Sequence, residues 1–70
     1  MSNHKIAIIG GGNLGASIAE GLLTSGFASA SQITVTKRNL NTIQHLADKG
    51  VNTTSDNQKA VKEASYIILA

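Results

Sequence analysis

Seventy residues are about half of a usual domain, and a chain that short buries only about 60% of the surface its unfolded form exposes, so it is marginal as a lone unit. With 41% apolar and 14% charged residues, no proline and no cysteine, the composition is that of an α/β globular segment; it argues against a disordered chain, a disulfide scaffold and thiolate–metal chemistry. The net charge of +2 comes from dispersed cations, the adjacent pair Lys37-Arg38 excepted, and Phe27 and Tyr66 are the only aromatics, which excludes a basic stripe with stacking platforms for nucleic acid. No apolar run reaches transmembrane length, and Met1 to Lys5 carries no signal-peptide core, so a cytoplasmic setting is expected.

The apolar pattern predicts strand one over Lys5 to Ile9 and a helix over Asn13 to Ser25, with Leu14, Ile18 and Leu22 on its inner face and Gly26 in the left-handed position past its end. Strand two follows at Ile33 to Thr36. Asn39 is the expected N-cap of a second helix, whose apolar face is Leu40, Ile43, Leu46 and Ala47 and which Gly50 ends. A short third strand is expected at Val51 to Thr53. Ser55 with Gln58 fits a capping box for a third helix that turns Ala60, Val61 and Ala64 inward. Tyr66 to Ala70 is continuously apolar, as a strand covered on both faces would be. Right-handed crossovers between these elements give a Rossmann-type βαβαβαβ α/β fold with a parallel sheet of order 3-2-1-4. The pattern reads as a truncated dinucleotide-binding domain, with residues 1–70 its N-terminal part. Strand four is then an apolar edge, and the chain is expected to self-associate through it.

Where the first strand runs into the first helix, Gly10, Gly12 and Gly15 stand in the spacing G-x-G-x-x-G, with Gly11, Asn13 and Leu14 between them. Each glycine has a task in holding a dinucleotide pyrophosphate. The first permits a sharp turn closed to residues with a β-carbon, the second a close approach of backbone to phosphate, and the third tight packing of helix on strand. The helix N-terminus adds unpaired N–H groups and a partial positive charge. Glycine-rich turns also occur without a ligand, but the strand before and helix after favour binding.

The end of strand two bears on which dinucleotide fits. An Asp or Glu there, about twenty residues past the glycines, usually holds the ribose hydroxyls of NAD. This chain reads Thr36-Lys37-Arg38-Asn39 instead, with no carboxylate to repel a 2′-phosphate and a hydroxyl and two cations to receive one, so NADP(H) is expected over NAD(H). The alternative is that Lys37 and Arg38 are solvated loop charges. No residue reads as a general acid: His4 precedes strand one, His45 lies mid-helix, Glu20, Asp48 and Glu63 read as solvated faces, and Asp56 as a helix-start charge. No His or carboxylate spacing suggests a metal site.

Lys5 to Gly15, then Ile18, Gly21, Leu22 and Leu23, resemble the N-terminus of the pyrroline-5-carboxylate reductase family. Ile33 to Arg38, Lys49-Gly50-Val51, Asn57 and Tyr66 to Ala70 agree with the same resemblance, which spans the whole chain. It implies an enzyme of proline biosynthesis that reduces 1-pyrroline-5-carboxylate to proline with a hydride from NADPH or NADH. By matching positions, Ile9, Gly10, Gly11, Gly12, Asn13 and Leu14, with Gly15, would hold the pyrophosphate; Thr36, Lys37 and Arg38 would surround the adenosine ribose and its 2′-phosphate. Asn57 would contact the adenosine side, and Ala70 would begin the segment beside the nicotinamide ribose. The resemblance also implies that the imino-acid pocket and the dimer surface belong to a helical C-terminal domain outside this chain, which alone would bind cofactor without catalysing. Two alternatives stay open: another NADP-linked reductase, of the hydroxyacid dehydrogenase or coenzyme F420-dependent NADP reductase groups, and a module that senses NADP(H) without turning it over.

Overall fold

In the computed structural model, which describes residues 4–10 and 12–70, four short strands form one parallel sheet. The strands are β1 (Ile6–Ile9), β2 (Ile33–Thr36), β3 (Asn52–Thr54) and β4 (Tyr66–Leu69), in the order β3-β2-β1-β4. The expected 3-2-1-4 topology is the observed one. β1 lies in the middle because its residues suit a strand covered from both sides: Ile6, Ala7 and Ile8 are all buried. Its register sets Ile8 beside Val35 of β2 and Ile68 of β4.

The helix α1 (Asn13–Thr24) follows β1, and α2 (Gln44–Asp48) follows β2. Both pack on one face of the sheet, where Ile6, Ile8, Ile33 and Val35 meet Ala19, Ile43, Leu46 and Val51 in a continuous core. Side chains alternate along a strand, so Ala7 and Thr34 turn to the opposite face. There α3 (Asn57–Glu63) lies against β1 and β2 through the buried Ala60.

The buried line of α1 is Gly15 and Ala19, flanked by the half-buried Ile18 and Leu22, and not the Leu14–Ile18–Leu22 stripe that the spacing suggests. Leu14, 64% exposed, stands in the first turn of the helix. Small residues take the inner line because the helix approaches the sheet closely. A β-carbon on Gly15 would collide with the carbonyl oxygen of Gly10. Ser25 caps the helix and Gly26 follows with φ of +75°, as expected.

Three local expectations are corrected. The second helix is not continuous: Asn39 caps it as expected, its side chain accepting from the Asn41 amide, but Leu40–Ile43 form a 3₁₀ turn before α2 starts at Gln44. The Thr42 hydroxyl donates to the Asn39 carbonyl, and such local bonds compete with the α-helical pattern. β3 starts one residue late, because the Val51 amide donates to the Leu46 carbonyl at the end of α2. The third helix is capped by Asp56 and not by Ser55: the Asp56 carboxylate accepts from the Lys59 amide at 3.0 Å, and the Thr54 hydroxyl accepts from the Asp56 amide. With that shift Val61 is largely exposed and Ala64 falls outside α3, which leaves Ala60 as the buried residue of that helix. A capping box does form elsewhere, between Ser29 and Gln32 of the turn before β2.

β4 meets β1 along one side, and Tyr66, Ile67 and Leu69 are exposed, so the described residues do not give this strand the cover on both faces that its composition suggests. Among the described residues no helix is long and apolar enough to cross a membrane.

The contact of α1 with the end of β1 predicts opposite outcomes at two glycines of the same helix. Gly15→Ala should destabilise the chain by about 1–3 kcal/mol through overpacking. Gly21→Ala, whose β-carbon would meet nothing, should stabilise it by up to about 1 kcal/mol through helix propensity. Urea denaturation of the two variants reads the difference.

Candidate functional site

Parallel strands all end at one edge of the sheet, and the loops there collect the residues that the sequence marks. At that edge Gly10 takes φ of +95°, which turns the chain out of β1. Three neighbours hold the turn. The Gly10 amide donates to the Thr36 hydroxyl at 3.1 Å, α1 presses Gly15 against the Gly10 carbonyl, and the Ala70 carbonyl oxygen lies 3.0 Å from where a Gly10 β-carbon would stand. The Ala70 amide is itself tied to Ile9, donating to its carbonyl at 3.1 Å. Gly11 lies outside the described residues.

Beyond the turn, Gly12 occupies the N-cap of α1 in an extended conformation, and no side chain caps the helix. Its carbonyl accepts from the Ala16 amide at 2.9 Å. The first turn, Asn13, Leu14 and Gly15, carries no acidic residue, so an anion placed there meets the positive end of the helix with no competing carboxylate. A β-carbon on Gly12 would meet nothing within 4 Å. Gly12 thus borders open space, as a backbone that approaches a ligand must.

That space is a cleft of about 310 Å³ between α1 and the segment after β2. Gly12, Asn13, Ala16 and Ser17 form one wall, Lys37, Thr42 and His45 the other, and Glu20 closes one end. Lys37 is half-buried there, its amide donating to the Thr54 carbonyl at 3.1 Å. Glu20 is paired: its carboxylate oxygens lie 3.4 Å from the Lys49 ammonium and 3.6 Å from His45 Nε2.

The structure thus brings together Ile9, Gly10, Gly12, Asn13, Leu14, Gly15, Thr36, Lys37, Arg38 and Ala70 at the carboxyl edge. Two of them differ from expectation. Thr36 is 1% exposed and its hydroxyl faces Gly10, so it is not at hand to receive a 2′-phosphate beside Lys37. Arg38 is exposed and does not line the cleft, whereas Lys37 does. Asn57 is the first residue of α3, next to its cap, and borders a separate shallow hollow with Val61 and Lys62. Ser17, Glu20, Thr42 and His45 were missed as cleft residues. Ser17 and Glu20 carry a weak signal, since they stand about one and two helical turns after Asn13 on the same face of α1; Thr42 and His45 are brought in by the packing of the segment after β2 on α1 and have no motif. Among the described residues no three His or carboxylate groups cluster as metal ligands would.

With this geometry in hand, the likeness to known proteins is specific. Residues 5–70 match the family model described as NADP oxidoreductase coenzyme F420-dependent. The pyrroline-5-carboxylate reductase 2 of Dictyostelium discoideum is 46% identical over 69 residues, which are 97% of this chain and 23% of that protein. The pyrroline-5-carboxylate reductase of Pasteurella multocida (strain Pm70) is 43% identical over 74 residues, all of this chain and 26% of that protein. Among solved structures, a pyrroline-5-carboxylate reductase from Coxiella burnetii superposes with a TM-score of 0.86 at 34% identity, over 99% of this chain and 26% of that one. An imine reductase from Myxococcus stipitatus in complex with NAD+ shares the fold, with a TM-score of 0.78 at 24% identity, over 94% of this chain and 22% of that one. The chain spans about a quarter, in one case about an eighth, of the length of the curated relatives it matches. These relatives are the kind of reductase that the sequence motifs resemble.

The two outer glycines of the turn should separate fold from site. Gly12→Ala should cost no more than about 1 kcal/mol, the N-cap preference of glycine over alanine, because its β-carbon points into open space, yet narrow the cleft. Gly10→Ala should lower stability, because the backbone there is left-handed. Thermal unfolding of both variants checks this.

Proposed function

Since this chain belongs to the NADP oxidoreductase coenzyme F420-dependent family, whose model it matches over residues 5–70, we propose that it is the NADP(H)-binding part of a pyrroline-5-carboxylate reductase. The whole enzyme then reduces 1-pyrroline-5-carboxylate to L-proline, in proline biosynthesis and in the cytoplasm. The observation that carries this reading is the glycine turn: Gly10 left-handed, Gly12 open, Gly15 in contact with Gly10, and an uncapped helix N-terminus behind them. This is the geometry a pyrophosphate requires.

When bound, the dinucleotide supplies the hydride that reduces the C=N carbon. This chain's residues do the holding. The amides of Asn13, Leu14 and Gly15 face the pyrophosphate, Ala70 borders the nicotinamide ribose, and Asn57 stands on the adenosine side. Lys37, at the cleft, takes the 2′-phosphate, with Arg38 adding charge from the exposed loop. A charge-assisted hydrogen bond of this kind contributes about 1.5–3 kcal/mol, or about ten- to a hundredfold in affinity. The proton for the imine nitrogen and the pocket for the substrate carboxylate belong to the helical C-terminal domain of the longer protein. In isolation the exposed β4 edge, with Tyr66, Ile67 and Leu69, pairs with a second copy of the chain.

The family model's own description names coenzyme F420, and this favours one second reading, hydride exchange between NADP and that coenzyme. Assay of the longer protein decides. Oxidation of NADPH with pyrroline-5-carboxylate supports the first reading, reduction of coenzyme F420 the second, and saturable binding with no oxidation would mean a sensing module. For the cofactor, calorimetric titration should show NADPH bound about tenfold or more tightly than NADH. Lys37→Ala should remove most of that difference and Arg38→Ala part of it; equal binding of the two nucleotides by the unaltered chain would overturn the assignment of the 2′-phosphate.

A further inference from the structure

Among the described residues Thr36 is the one fully buried polar side chain. It sits at the last position of β2, in register with Ile9 of β1. The β1–β2 register ends with that pair, and the Gly10 amide just past it donates to the Thr36 hydroxyl at 3.1 Å, a side-chain acceptor where a continued ladder would use a carbonyl.

We propose that Thr36 is a positioning residue for the cofactor: through this hydrogen bond it fixes the Gly10 peptide, and with it the direction in which the glycine turn presents the N-terminus of α1. The inference rests on the dinucleotide reading and adds a residue that acts without touching the ligand. The bond is partly buried, so the orientation of the Gly10 amide that makes it is favoured over those that leave the donor to solvent. The left-handed φ of Gly10 leads from that amide to its carbonyl, which meets Gly15 of α1. The hydroxyl from β2, Gly15 from α1 and Ala70 just past β4 therefore enclose Gly10 from three sides. A turn fixed in this way has less ordering entropy to lose when a pyrophosphate arrives. The 2′-phosphate plays no part in that step, so NADPH and NADH depend on Thr36 equally.

Thr36→Val keeps the branched shape and removes the acceptor; Thr36→Ser keeps the acceptor and loses a methyl group. Two readouts are taken on each: hydrogen exchange of the Gly10 amide without nucleotide, and dissociation constants for NADPH and NADH. In Thr36→Val the exchange rate and both dissociation constants should rise about tenfold with their ratio unchanged, and Thr36→Ser should restore all three, the size expected for one hydrogen bond. Unchanged exchange and unchanged affinity in Thr36→Val overturn the proposal. Weaker binding of NADPH alone also overturns it, because Thr36 would then contact the 2′-phosphate directly. If Thr36→Val does not fold, Thr36→Ser still decides: parent-like exchange and affinity in a less stable protein support the proposal, and weakened affinity at parent-like exchange contradicts it. If the unaltered chain binds neither nucleotide, the dinucleotide reading has failed and the proposal falls with it, whereas a failure of Thr36 alone leaves that reading standing.

Discussion

The contact of Gly15 with the carbonyl of Gly10 is where the sheet and the first helix are joined, and the rest of the architecture follows from how close that contact is. Because no side chain intervenes, α1 lies low over β1, and its buried line must be built from Gly15 and Ala19. That placement lets Ile8, Val35 and Leu46 close the core on the same face. It also puts the first turn of the helix directly beyond the end of β1. A helix held farther away would leave both a void above β1 and its N-terminus displaced from the sheet edge. Packing and site are therefore two results of one close approach.

The electrostatics of the edge depend on the same arrangement. The cleft beside Gly12 has one cation, Lys37, on its wall and one carboxylate, Glu20, at its end. Left unpaired, that carboxylate would oppose any phosphate drawn to Lys37. Lys49 and His45 come from α2 and its C-terminal end to face it. Half-exposed pairs of this kind add little to stability; their consequence is that Glu20 does not stand unpaired at the cleft.

Most of the fold was legible because it rests on local signals. The β-branched runs Ile6–Ile9 and Ile33–Thr36, the left-handed glycines at 10, 26 and 50, and the Asn39 cap are each decided by one or two residues. The misplaced details involve choices between neighbours. Ser55 and Asp56 both carry an oxygen able to cap α3, and the Thr54 hydroxyl on the Asp56 amide settles which one does. Val51 is apolar enough for a strand but is held by the last turn of α2. At the site, the glycine spacing and Lys37 were readable from position alone. Thr36 was not: its composition suggests a hydroxyl offered to a ligand, and only the register of β1 against β2 shows it turned to Gly10. Thr42 and His45 enter the cleft through tertiary packing, which no spacing encodes.

We infer that the carboxyl edge, from Gly10 through the first turn of α1 to Lys37, is a dinucleotide site. Amide NMR shift mapping of the chain during addition of NADPH tests this most directly. Binding there should give saturable shifts concentrated at Gly10, Gly12, Asn13, Gly15, Lys37 and Ala70, with little change along Leu22, Phe27 and Tyr66, which line an apolar groove elsewhere in the chain. Shifts centred on that groove, or no saturable shifts in a folded protein, would contradict it.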